Sequence, residues 1–89
     1  MLMHLLKWRY QPERRSPSWQ LSIYNGRDHI ERLCKNSPSL RSHLLTSLEE
    51  EYPRARRNAA LETGLPLATF PVHCPFTVEQ ILDSDFWPD

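Results

Sequence analysis

The sequence has two glycines, two cysteines, no net charge and no long apolar run, and each shortage removes a class of protein. With only Gly26 and Gly64 there is no Gly-rich phosphate loop and little from which to build hairpin turns. Cys34 and Cys74 are too few for the disulfide framework of a small secreted domain, and neither has a second cysteine at metal-ligand spacing. A reduced, cytoplasmic protein is expected. Met1 to Trp8 is apolar but does not read as a signal peptide: no cation precedes the stretch, His4 interrupts it, and Lys7 and Arg9 end it. Nothing approaches the ~18 apolar residues of a membrane-spanning helix, so no membrane partner is expected.

What is present suits one small domain. Surface scaling for this mass gives roughly 5,500 Å² folded against roughly 15,400 Å² unfolded, so folding hides about 64% of the chain. Eleven Lys and Arg balance eleven Asp and Glu. All eleven cations lie between Lys7 and Arg57, among only six acids, so residues 1–57 carry +5. Residues 58–89 contain no Lys or Arg and five acids, Glu62, Glu79, Asp83, Asp85 and Asp89, and carry −5. The acidic tail is expected to fold over the basic body.

Eight prolines cut the chain into segments of helical length. Leu2 to about Tyr10 is apolar nearly all round, the pattern of a helix that is buried or continues something longer. Ser16-Pro17 is an N-cap followed by the proline favoured at the first helical position, and opens a helix to about Lys35. On it Trp19, Ile23, Ile30, Leu33 and Cys34 fall within about 100° of one another. Gly26 lies in that stripe, which predicts close approach of another backbone.

Ser37-Pro38 repeats the start signal, and Leu40, Leu44, Leu48, Tyr52, Ala55 and Ala59 keep helical spacing through Glu62. Pro53 must kink this helix or begin a new one. Gly64, with Pro66 beyond it, ends the helix, since a left-handed C-terminal residue costs glycine least. Leu67, Phe70 and Val72 among prolines then read as an extended strap lying on the helices. Thr77 with Gln80 three residues on is a capping box for a short helix bearing Val78, Ile81 and Leu82, and Phe86 and Trp87 are expected to dock. The fold class is all-α: a small helical bundle of three main helices plus a short C-terminal helix, with a Pro-rich extended strap.

The ordered string Leu5-Leu6-Lys7-Trp8, Tyr10-Gln11-Pro12, Ser18-Trp19, Tyr52 with Ala55, Glu62-Thr63-Gly64-Leu65-Pro66, Phe70-Pro71 and Cys74-Pro75-Phe76-Thr77 resembles a bacterial family, domain of unknown function 29. That family is abundant in cyanobacteria, is helical and has no established activity. The resemblance runs over the whole chain and implies that residues 1–89 form a single helical domain, incomplete at the N-terminus, because family members usually carry Glu-rich helical segments ahead of the Leu-Leu-Lys-Trp helix. It further implies exposed apolar surface on Leu2, Leu5 and Trp8, compensated by self-association.

No constellation of residues fits catalysis. There is no nucleophile elbow, no phosphate loop and no zinc-protease pair. His4, His29, His43 and His73 with Cys34 and Cys74 are not spaced as metal ligands; His29 and Cys34 diverge by roughly 140° on one helix. No catalytic, metal-binding or cofactor-binding residue is assigned, and no cofactor is expected. Glu49 to Glu51 followed by Arg54, Arg56 and Arg57 predicts helix-surface pairs such as Glu50 with Arg54. The reading is a non-catalytic helical interaction module whose partner is another protein or a second copy. Its candidate surface is Leu2, Leu5, Trp8, Arg9, Tyr10, Arg14 and Arg15. One alternative is a nucleic-acid binder, because Lys7 to Arg15 interleaves cations with aromatics as phosphate-tracking, base-stacking surfaces do. Another is half of a metal-dependent enzyme site, with His4 or Lys7 completed by acids from a preceding segment.

Overall fold

The structure, a computed structural model, describes residues 1–88; Asp89, the last acid of the tail, lies outside the described residues. Its helices are α1 (Leu2–Tyr10), α2 (Pro17–Asn36), α3 (Leu44–Thr63) and α4 (Val78–Leu82), with short 3-10 segments at Pro12–Arg14, Pro38–His43 and Leu67–Thr69. The described residues contain no strand, and the fold is all-α with three main helices and a short fourth.

α1 is the central element, packed against both α2 and α3. Leu5 and Leu6 are fully buried and join Ile23 of α2, Tyr52 and Ala59 of α3, and Phe70, Phe76 and Ile81 of the C-terminal arm in one core. An all-round apolar helix has to be enclosed on every side, and three long segments of this chain enclose it.

Local signals set most helix ends. The Ser16 hydroxyl accepts the Trp19 N–H at 3.2 Å, and Pro17 occupies the first turn. Gly64 closes α3 with φ 74°, donating its N–H to the Ala60 carbonyl at 2.9 Å. The capping box of α4 is complete: Thr77 Oγ1 accepts the Gln80 N–H, and Gln80 Oε1 accepts the Thr77 N–H, each at 3.0 Å. Ser37-Pro38 behaves differently from Ser16-Pro17. Ser37 makes no side-chain cap, and a 3-10 segment runs to His43 before α3 begins. Pro53 sits inside α3 without dividing it.

Three expectations of packing are corrected. A Cβ on Gly26 would lie 2.8 Å from Met1 Cβ, so the close approach comes from a side chain at the start of α1 and not from another backbone. Leu33 belongs to the α2 stripe by spacing but is exposed. Of the strap residues only Phe70 is buried, while Leu67 and Val72 face water.

Side chains from α3 hold the strap by its carbonyls. Arg56 Nε donates to Phe70 O at 3.1 Å and Nη2 to Leu67 O at 3.2 Å, while the Tyr52 hydroxyl donates to Pro71 O at 2.6 Å. Burial, together with the neighbouring Cys74, pushes the Tyr52 phenol up to about 12. A phenol that ionises less readily when folded stabilises the fold in full below pH ~10, and that contribution is lost as pH rises from there through about 12. Spectroscopic titration is therefore expected to contain a tyrosine step near pH 12 that Tyr52→Phe removes. The same substitution, followed by urea unfolding at pH 7, is expected to cost about 1 kcal/mol for the lost hydrogen bond.

Candidate interaction surface

Of the seven residues predicted to form an exposed surface, two are buried, three are half-buried and two are exposed. Leu2 is 7% exposed and Leu5 is 0%, which corrects the expectation that they face outward. Trp8 is half-buried beneath Trp87, with ring centroids 4.8 Å apart. Tyr10 meets Phe70 edge to face at 5.4 Å. The physical cause is the C-terminal arm, which folds back and covers α1 on the side that periodicity left without a partner. Arg9 and Arg14 are exposed; the Arg9 guanidinium lies 5.4 Å from the Tyr10 ring centroid. Arg15 donates to Trp8 O at 2.8 Å and to Pro88 O at 3.2 Å, and stands 5.0 Å over the Trp8 ring.

Arg27 is the residue that sequence reasoning missed. It is 6% exposed and clamps the end of the chain: Nε donates to Ile81 O at 2.8 Å, and Nη2 donates to Gln80 O at 3.2 Å and Phe86 O at 2.7 Å. Its guanidinium also lies 5.5 Å from the Trp87 ring centroid. Burial lowers its affinity for the proton and nearby Asp83 partly restores it, yet the guanidinium stays charged at neutral pH. The acidic tail does fold over the basic body, but apart from Lys7 with Glu62 the cations that reach it grip main-chain carbonyls and aromatic faces rather than carboxylates. One signal was available: Arg27 lies one turn beyond Ile23, about 20° outside the apolar stripe of α2.

Lys7 is likewise only 6% exposed, 3.4 Å from Glu62 Oε1 and 4.6 Å from the Trp19 ring centroid. His4 is drawn below its usual range by burial, then by Lys7 and the N-terminal amine, against a smaller opposing pull from Glu62. Glu50 and Arg54 make no ion pair; among the described residues the close pairs are Lys7–Glu62 and Asp28–Arg32. Cys34 and Cys74 are free thiols. Burial pushes the Cys74 thiol up, partly offset by its hydrogen bond to Phe76 O. Among the described residues no three His, Cys, Asp or Glu side chains gather where they could hold a metal ion, and no helix is long and apolar enough to cross a membrane.

The open apolar surface lies elsewhere, along the first half of α3. At 1.5 Å per residue, α1 is about 14 Å long and α3 about 30 Å, so α1 cannot cover its neighbour. The buried residues of α3 are Tyr52 and Ala59, and Glu62 near its end meets Lys7 of α1. Residues 44–51 have no fully buried member. Beside them runs a groove of about 450 Å³, walled by Met1, Met3 and Ile30 opposite Leu44, Leu48 and Ala55, with Glu51, Arg54 and Asn58 on its rim. On the other flank of α3 a second cavity, of about 580 Å³, is lined by Leu45, Leu48, Tyr52, Val72 and Phe76 among others. Leu48 borders both, and Leu45 is 59% exposed. The whole molecule exposes 5938 Å², several hundred Å² above the roughly 5,500 Å² expected for its mass.

A family model described as "Domain of unknown function DUF29" matches residues 1–87. No curated protein and no solved structure matches the chain.

Proposed function

The chain belongs to the DUF29 family, and from that premise we propose that it acts as a non-catalytic helical interaction module, docking an apolar helix in the groove between the start of α1 and the first half of α3. The observation that carries this reading is the length mismatch between α1 and α3, which leaves Leu44, Leu45 and Leu48 without a covering helix. Amphipathic helices bind such grooves by placing side chains at i, i+3, i+4 and i+7 between the walls. A rim of mixed charge at Glu51 and Arg54 sets register more than affinity.

The Lys7–Arg15 segment supports a phosphate-tracking role less well. Lys7 is buried, Arg15 is engaged by carbonyls, and Trp8 is stacked on Trp87, so stacking faces and cations are already in use. The test uses an apolar fluorescent dye on the natively folded chain. Binding is expected, and Leu44→Glu should abolish it while leaving the circular-dichroism spectrum unchanged. Dye binding unaffected by Leu44→Glu, or absent from the wild-type chain, overturns the assignment.

A further inference from the structure

We infer that the cleft between α2 and the end of the C-terminal arm takes an extended, proline-rich peptide with a cationic end. This surface shares no residue with the groove beside α3, and the inference does not depend on that groove. Pro17, Leu21, Tyr24, Asp28 and Glu31 follow one another at spacings of four and three, so they form one stripe along α2. The stripe changes from apolar and aromatic at Pro17 to acidic at Glu31. Three cavities run beside it and share walls. The first, of about 260 Å³, lies among Pro17, Leu21, Tyr24 and Trp87, where Leu21 is 58% and Tyr24 63% exposed. Tyr24 and Trp87 also wall the second, of about 210 Å³, which Arg27 lines. Glu31, Leu82 and Ser84 continue into the third, of about 480 Å³, lined by three acids, Glu31, Glu79 and Asp83, and one cation, Arg41.

Arg27 sets the kind of chain that fits. Its Nε and Nη2 are engaged by the carbonyls of Gln80, Ile81 and Phe86, while Nη1 has no acceptor among the described residues. No buried side-chain nitrogen among them lacks a partner, so Nη1 opens to solvent, and the middle cavity is the one that Arg27 lines. Two N–H groups on an otherwise buried guanidinium are thus placed to donate to a carbonyl from outside. A docked helix bonds its carbonyls internally, whereas a polyproline II segment bonds none of its own and exposes them all. Tyr24 and Trp87 supply the aromatic walls on which proline-rich segments dock. The lengths agree as well. From Leu21 to Glu31 is about 15 Å along α2, which a polyproline II segment covers in about five residues. A proline at the aromatic end therefore puts a residue about five positions away among three acids that make no ion pair among the described residues. Arginine or lysine complements them there, and the same acids turn a phosphate backbone away.

Fluorescence anisotropy on the full chain tests this with three labelled peptides: a hexaproline with an arginine at each end, a hexaproline with a glutamate at each end, and a Gly-Ser hexamer with an arginine at each end. Placing the charge at both ends serves either chain direction. The arginine hexaproline is expected to bind at sub-millimolar concentration, and the other two about tenfold more weakly or not at all. Tyr24 and Glu31 are exposed, so substituting them is not expected to disturb the fold, which circular dichroism checks. Tyr24→Ala should weaken the arginine hexaproline about tenfold by removing an aromatic wall. Glu31→Lys should bring the two hexaprolines to nearly equal affinity, because two acids then stand against two cations. Leu44→Glu, in the other groove, should leave all three peptides unaffected. Absence of binding at millimolar peptide, a Gly-Ser peptide that binds as well as the arginine hexaproline, or affinities untouched by Tyr24→Ala or by Glu31→Lys would overturn the inference. So would loss of binding in Leu44→Glu, which would move the peptide to α3.

Discussion

Arg27→Met is expected to destabilise the fold by about 3–5 kcal/mol, the range for removing one partner from a buried charged arrangement. A chain of this length has roughly 4–13 kcal/mol in all, so this one change removes a large fraction. The guanidinium donates three bonds to carbonyls of Gln80, Ile81 and Phe86. Methionine fills similar space but leaves those carbonyls facing an apolar thioether, and each buried acceptor without a donor costs about 1–3 kcal/mol. Trp87 also loses the cation beneath its ring. Urea unfolding measures the loss, and tryptophan emission in the native state is expected to shift red as Trp87 separates from Trp8. Arg27→Lys keeps the charge without the planar fork and should recover only part of the stability. An Arg27→Met chain within about 1 kcal/mol of wild type would mean that the tail is held by its aromatics alone.

Phe70→Ala should cost a similar amount, about 3–5 kcal/mol, for a different reason. Phe70 is the sole fully buried residue of the strap and fills the space beside Tyr10, in edge-to-face contact at 5.4 Å. Truncating it leaves a cavity that neighbours cannot close, since Arg56 and Tyr52 fix the backbone on both sides of the site. Phe70→Leu should cost less, because most of the volume stays. The two truncations differ in where they act. Arg27→Met loosens the chain after α4, whereas Phe70→Ala loosens the strap before it, so protease cleavage is expected after Leu82 in the first variant and between 65 and 75 in the second.

The sequence made the helical ends legible where a single local interaction decides them. Ser16 with Pro17, Gly64, and Thr77 with Gln80 each act within one turn, and each is found as read. Ser37-Pro38 has the same letters as Ser16-Pro17 yet opens a 3-10 segment, in which the Ser37 side chain caps nothing. Arg27 could be placed beside the apolar stripe, but what it binds was illegible. Its three acceptors lie 53 to 59 positions away in sequence, and no periodicity announces that they will converge. The candidate surface moved on the same ground. Leu2 and Leu5 stand out as apolar in the sequence, but which of two apolar faces stays open depends on where the arm lands. It lands on α1, and Leu44 and Leu48, which look like core by spacing, are left at the edge.

Amide hydrogen exchange measured with and without a saturating apolar dye tests the docking face most directly. Residues 44–55 are expected to gain protection when the dye is bound, while the amides of α1 and of the arm from 76 to 88, already enclosed, keep their rates. Exchange that the dye leaves unchanged throughout, or protection that appears around Trp8, Arg9 and Arg14 instead of along α3, would contradict the account.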